Sequence, residues 1–366
     1  MSTSANKSST VQRRAKLMGM LAKTRIDAVA ITSDTNRLYF SGFTGSNGVL
    51  LISIHGTVLI TDARYTEQAQ EECLEVDIVQ QVRGQSQIRN AVKTFGVEKL
   101  GIEADQITYS QYSRINEEVA GLCDLVPLTG EIDVMRSVKD PKEIRLIEKA
   151  IHFADLGMNK ALDFIEQGVT EKEVAWALEK EMRDFGADGL AFDSIVATGR
   201  NAARPHHRAG DSEIKKGDPV VVDIGAIYGG YRSDISRTIY VGSKVSAEFT
   251  DRYDIVLRAQ SAAISSLSCG MTGDHVDRLA RDVIDSSGYK GAFTHGLGHG
   301  VGLKIHERPM IVPGSEDILR ENMIFTIEPG IYFSDWGGIR LEDVVILEKE
   351  GARVLTQSPK VMEKFT

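Results

Sequence analysis

Apolar positions along the chain fall into two regimes. Between Val11 and Leu128, short strand-like and helix-like runs succeed one another. An amphipathic stretch at Val11–Lys23, with Leu17, Met20 and Leu21 on one side, precedes a strand at Ala28–Thr32. Strands at Val49–Ile54 and Thr57–Thr61 flank a tight His55-Gly56 turn. Helices near Tyr65–Glu72, Ser86–Phe95 and Ser110–Val119 then alternate with strands near Val76–Gln80, Leu100–Glu103 and Leu125–Leu128. No element is assigned to Asn36–Phe43. This alternation predicts a layered α/β domain over residues 11–131, preceded by a disordered polar tail at 1–10. The domain carries no GxGxxG or P-loop, and Asp62, Arg64 and His55 fit surface or hairpin roles better than catalytic ones.

The second regime, residues 132–366, is built of longer elements and predicts an α+β domain. Asp140 caps a helix with Pro141 in its first turn, and Ile144, Ile147, Ala150, Ile151, Ala154 and Met158 form its apolar stripe to about Ile165. Thr170 and Glu173 make a capping-box pair that opens a second helix to about Phe185. A strand at Ser194–Ala197 leads into the loop TGRNAARPHHRAG, and helices follow at Ala247–Leu267 and Asp274–Ser286. The order of helices followed by strands occurs twice, a hint of two similar halves.

Composition narrows the function classes. Of the 366 residues, 42% are hydrophobic and 26% charged, as in ordinary globular chains, and the net charge is −9. Without a basic cluster, nucleic acid and anionic membrane are poor partners. The three cysteines are widely spaced and lack metal-ligand spacing, which fits a reducing cytoplasm. The sequence shows no signal-type apolar core and no run of about 18 apolar residues, so the expectation is neither export nor membrane insertion.

Candidate chemistry centres on PVVVDIGAIYGGYRSDISRT, residues 219–238. Its β-branched run predicts a buried strand, and Gly229-Gly230 between Tyr228 and Tyr231 a two-residue hairpin. Pairing Tyr228 with Tyr231 sets Gly225 opposite Asp234 and puts Asp223 diagonally across the ladder, roughly 7–8 Å away at the backbone. Two carboxylates in an apolar pair of strands need a cation. Arg232 or Arg237 could neutralise one of them, but two on one face favour a metal.

Three of the eight histidines, His295, His299 and His306, lie in THGLGHGVGLKIHERP. The glycines there argue against a helix despite the i, i+4 spacing of the first two. Glu328 ends a strand at Ile324–Ile327, and a further strand at Gly338–Ile346 carries Arg340 and Glu342 on one face. A local pair with Arg340 is the structural alternative for Glu342. Four carboxylates and one imidazole carry about −4, which two divalent cations balance, and the oxygen-rich set favours manganese or cobalt, with zinc and iron as alternatives.

In order and context, Asp223, Asp234, His299, Glu328 and Glu342 resemble the five metal ligands of the pita-bread metallopeptidases. That family includes aminopeptidase P, prolidase, methionine aminopeptidase and the metal-free creatinase. The resemblance runs from about Ile132 to the end, while the first domain resembles the creatinase/prolidase N-terminal domain. It implies two divalent ions per chain, first of all Mn2+, with Co2+ or Zn2+ as alternatives. Asp223 would chelate one ion, Asp234 and Glu342 would bridge both, and His299 and Glu328 would serve the other. By the same resemblance His206 closes over substrate, His306 stabilises the tetrahedral intermediate or shuttles a proton, and His295 lies near the proline pocket. Tyr231, Tyr332 and Arg340 match supporting positions around the ligands or substrate, and Ser236 stands where many relatives have Thr. His207 is expected to be exposed.

The implied reaction is hydrolysis of the bond between an N-terminal residue and proline, with Glu328 taking a proton from the attacking water. Some prolidases carry an Arg just after the HExP proline, where this chain has Met310, with Arg308 two residues earlier. That leans towards longer Xaa-Pro peptides, an Xaa-Pro aminopeptidase, over dipeptides. The extra N-terminal domain and the ARPHH loop weaken a methionine aminopeptidase, and five intact ligands weaken a non-catalytic binding module or a creatinase. The family also implies a homodimer.

Overall fold

The computed structural model describes residues 3–242, 244–360 and 362–364. Two compact units meet in sequence between Met135 and Arg136, four residues beyond the expected boundary and inside the helix Glu131–Ser137. The first helix starts at Thr3 and runs to Leu21. Residues 3–10 of the expected tail are therefore helical, while Met1 and Ser2 lie outside the described residues.

The first unit is a mixed six-stranded sheet. Its strands are β1 (Ala28–Ile31), β2 (Val49–Ser53), β3 (Gly56–Thr61), β4 (Asp77–Gln80), β5 (Lys99–Glu103) and β6 (Asp124–Leu128), in the order β4-β3-β2-β1-β5-β6. β1–β2 and β2–β3 are antiparallel, and the three outer pairings are parallel. β1 is buried at all four positions because both faces are covered, which explains its unbroken apolar run. A helix at Asp34–Ser41, without an element assigned from the sequence, begins where Ser33 Oγ accepts from Asn36 N at 3.3 Å. It ends at Gly42, whose φ of 83° suits only a residue without Cβ strain. Its eight residues are mostly polar, so no apolar stripe announces it. Asp62 and Arg64 pair with each other at 2.9 Å in the segment after β3.

The second unit is α+β, with helices laid on two sheets. Four strands order as Met362–Lys364, Ile235–Val241, Pro219–Ile224 and Ile195–Thr198. Five order as Glu307–Ile311, Gly298–Gly300, Ile324–Ile327, Asp343–Glu348 and Gly351–Val354. Helices Pro141–Phe164 and Glu171–Asp184 pack on the first of these sheets, and Ala247–Ser266 and Gly273–Ile284 on the second. Both predicted capping boxes form: Asp140 with Glu143, and Thr170 with Glu173.

Tyr228 faces Tyr231 as expected, and the same register continues to Asp223 opposite Ser236. The ladder opens between these points, where Ala226 N bonds Ser233 Oγ at 2.9 Å instead of a backbone carbonyl. The strand expected without interruption over Gly338–Ile346 divides in two. Gly337–Arg340 pairs with Gly330–Phe333, and Asp343–Glu348 pairs with Ile324–Ile327. Between them Leu341 N turns to Pro329 O and Glu342 N to Ser236 O, so the backbone crosses to the other sheet at the carboxylate.

Arg237 does not neutralise Asp223 or Asp234. Adjacent to Ser236 in an alternating strand, it points to the opposite face. There, fully buried, it donates to Asp343 Oδ1 at 2.9 Å, Ser358 O at 2.7 Å, Pro359 O at 2.9 Å and the carbonyls of Ser236 and Glu342. Arg232 instead donates to Leu303 O. Removing one partner of a buried ion pair costs about 3–5 kcal/mol. Arg237→Ala should lose stability on that scale in urea unfolding, and a loss below about 1 kcal/mol would contradict the tie.

Candidate metal centre

The expected ligands come together at the floor of a cavity of about 370 Å³ in the second unit. Each is delivered by a sheet or a sheet break. Asp223 is the penultimate residue of Pro219–Ile224, and Asp234 sits in the gap before Ile235–Val241. His299 is central in Gly298–Gly300, Glu328 follows Ile324–Ile327, and Glu342 occupies the break between its two strands. Gly298 is required here: a Cβ would stand 2.0 Å from Thr326 O, so only glycine lets the His299 strand approach.

Asp234, His299 and Glu342 each offer one ligand atom, all within 4.8 Å of one another. His299 Nε2 lies 3.3 Å from Glu328 Oε1 and 3.6 Å from Asp234 Oδ2. Its Nδ1 is 3.2 Å from Gly300 O. Donation there leaves the Nε2 lone pair facing the carboxylates, the tautomer a metal ligand needs. Thr326 Oγ1 accepts from His299 N and donates to Glu328 Oε1, both at 3.0 Å, fixing two of the expected ligands from one side chain.

The charges do not balance by themselves. Burial, then the proximity of Glu342, Asp223 and Glu328, drives the Asp234 carboxyl well above its ordinary range. Glu342 is raised in the same way, by burial and then by Glu328 and Asp223. Glu328 is pushed up to about 8, chiefly by burial. Burial lowers His299 to about 3, so it is neutral. Asp223 Oδ1 and Glu342 Oε1 are buried without a hydrogen-bond partner. A lone pair directed at carboxylates, two orphaned buried oxygens and an oxygen-rich donor set fit divalent cations.

Arg340 supplies fixed positive charge, and its partner is Asp223 rather than Glu342. Nη2 donates to Asp223 Oδ2 at 2.6 Å, Nε to Ser236 Oγ at 2.9 Å, and Nη1 to Tyr332 OH at 3.2 Å and Pro205 O at 3.3 Å. Ser236 passes the contact on, donating to Glu342 Oε2 at 3.0 Å. Tyr332 OH also meets His295 Nε2 at 2.8 Å. Burial, reinforced by Arg340, holds His295 down at about 4. His206, His295 and His306 all line the cavity, and the His306 ring lies 4.2 Å from that of His299. Tyr231 does not line the cavity. Its hydroxyl donates to Glu143 Oε1 at 2.9 Å, bracing the hairpin against the long helix.

His207 is not exposed. Its side chain is 11% accessible and its Nε2 lies 2.8 Å from Glu171 Oε2, because Glu171 is fully buried beneath the loop. Glu171 also accepts from Thr198 N and Asn201 Nδ2, both at 2.9 Å, and Gly210 N at 3.1 Å. It thus pins both sides of the segment that carries His206. In the sequence Glu171 is only an acid in a first helical turn, and nothing there marks it further.

This site lies within the stretch, residues 145–349, that matches the model of metallopeptidase family M24, and residues 13–138 match the creatinase/prolidase N-terminal domain. The chain belongs to family M24 and is a metallopeptidase of pita-bread fold. It is 37% identical to a Xaa-Pro dipeptidase of Pyrococcus horikoshii, over 94% of this chain and 97% of that one. A solved Xaa-Pro dipeptidase from Bacillus anthracis superposes with a TM-score of 0.92 at 39% identity, covering 97% and 99% of the two chains. An X-Pro aminopeptidase from Thermotoga maritima gives 0.88 at 37%, covering 97% and 100%.

Without Glu171, four donors lose their acceptor, and each buried orphan costs about 1–3 kcal/mol. In Glu171→Ala, amide exchange at His207 and Gly210 should speed by about tenfold or more, while Val220–Ile224 stays protected. Unchanged exchange in the loop would show that Glu171 does not hold it.

Proposed function

We propose that the chain removes an N-terminal residue that precedes proline, as an Xaa-Pro aminopeptidase, with Xaa-Pro dipeptides as the alternative substrate. The observation that carries this is the convergence of Asp234, His299 and Glu342 within 4.8 Å at the floor of a cavity lined by four further histidines. The names of relatives support both substrate lengths equally.

Asp223, Asp234, His299, Glu328 and Glu342 would hold two divalent ions, with manganese favoured by the oxygen-rich donors. The ions would supply Lewis acidity and bring the pKa of a water towards neutrality. Glu328, held by Thr326, would take a proton from the attacking water and return it to the leaving imino nitrogen. His306 and His206, which line the cavity, would donate to the developing oxyanion. Phe192, Ile195, Ile305 and Val312 give the cavity an apolar wall suited to a pyrrolidine ring. Family resemblance supports a homodimer. Free Cys73, Cys123 and Cys269 support a reducing, cytoplasmic setting, and among the described residues no helix is long and apolar enough to cross a membrane.

Asp223→Ala or Glu342→Ala should lose metal and activity together, from about two ions per chain in the wild type. Either variant retaining full activity after chelation would overturn the metal assignment. A panel of Xaa-Pro dipeptides and Xaa-Pro-Xaa tripeptides, assayed with manganese, cobalt and zinc separately, should show turnover confined to proline at the second position. Equal turnover of matched alanine peptides would remove the proline specificity.

A further inference from the structure

The loop at residues 301–306 joins the strand Gly298–Gly300, which carries His299, to the strand Glu307–Ile311. His306 ends that loop, and its imidazole makes no hydrogen bond among the described residues. Its place in the cavity is therefore set by its backbone and by the ring contact with His299 at 4.2 Å. The next residue, Glu307, is buried where its strand alternates between covered and exposed positions. The loop folds round this carboxylate. Lys304 N donates to its Oε2 at 3.4 Å, and a Cβ on Gly302 would stand 2.2 Å from its Oε1. Arg232, two residues before Asp234, holds the same turn: its N donates to Gly302 O at 2.9 Å and its Nη1 to Leu303 O.

The Glu307 carboxylate is itself fixed by two buried cations, Arg136 through Nη2 and Lys139 through Nζ at 2.9 Å. Lys139 N donates to Asn322 O at 2.9 Å, and Val138 bridges Met323, just before the strand Ile324–Ile327. Apolar side chains of similar volume would stabilise such an interior as well or better, and the best-attested use of buried charge is to fix register. We propose that Glu307 is a positioning residue for the reaction: held by Arg136 and Lys139, its carboxylate shapes the loop that sets the His306 imidazole in the cavity. This rests on the Xaa-Pro function proposed above and names the group that orients one of its histidines.

The test is a double-mutant cycle of Glu307→Gln and His306→Ala in the metal-loaded chain, read on an Xaa-Pro-Xaa tripeptide with metal content measured alongside. Each single variant should keep its metal and lose about 10–100-fold in kcat with KM within about threefold of wild type. The double variant should fall no further than His306→Ala alone, because Glu307 then has no imidazole left to place. A role confined to the fold would multiply the two losses instead. Should Glu307→Gln not fold, Lys139→Gln leaves the Arg136 pair intact and carries the same cycle, with Lys139→Arg recovering most of the loss. Multiplying losses, or a kcat for the folded variant within about threefold of wild type, overturn the role of Glu307 and leave the Xaa-Pro function standing. A wild type that cleaves no Xaa-Pro peptide overturns the function and this inference together.

Discussion

The constraint on which the second unit turns is the concentration of negative charge inside an apolar shell. Two unit charges 4 Å apart interact by about 4 kcal/mol at the effective dielectric of a protein surface, and more where water is excluded. Asp223, Asp234, Glu328 and Glu342 share one cavity floor against one committed arginine. The architecture therefore has to hold these carboxylates in place against their own repulsion. It does so with backbone: three of the four stand where a strand stops or divides, and the main chain there bonds across to a different segment. Glu328 N bonds Leu297 O, Glu342 N bonds Ser236 O, and Ser233 N beside Asp234 bonds Ala226 O. Sheet breaks that would otherwise weaken the fold are the points at which it aims these carboxylates.

Local chemistry was readable from the sequence wherever one stretch contained the whole cause. The Tyr228–Tyr231 turn sets the register that places Asp223 diagonal to Asp234, and both capping boxes lie within four residues. The glycines around His299 betray a backbone that must pass close to its neighbours, as Gly298 does against Thr326. What escaped was long-range or masked by an ordinary role. Arg340 alternates with Glu342 along the chain, yet it binds Asp223, 117 residues away, because the strand breaks between the two. His207 looks like a surface histidine in a polar loop until the helix bearing Glu171 is laid beneath it. The helix at Asp34–Ser41 has a good cap and no apolar stripe, so periodicity passes over it.

Buried carboxylates occur in this unit in two kinds, and the contrast separates scaffold from site. Glu171, Asp277 and Glu307 are each saturated by donors. Asp277 takes Leu297 N at 3.0 Å and both arms of Arg281, which in turn donates to His295 O at 2.7 Å. Burial alone would raise Glu307, but Lys139 and Arg136 bring its carboxyl below the ordinary range. These groups hold the segments bearing His206, His295 and His306. Asp234 and Glu342 are equally buried and driven the other way, because their neighbours are acids. Glu342 Oε1 and Asp223 Oδ1 have no donor at all. A fold that satisfies Glu171, Asp277 and Glu307 this completely, while leaving one buried oxygen each of Asp223 and Glu342 without a donor at the cavity floor, has kept those oxygens for something it binds.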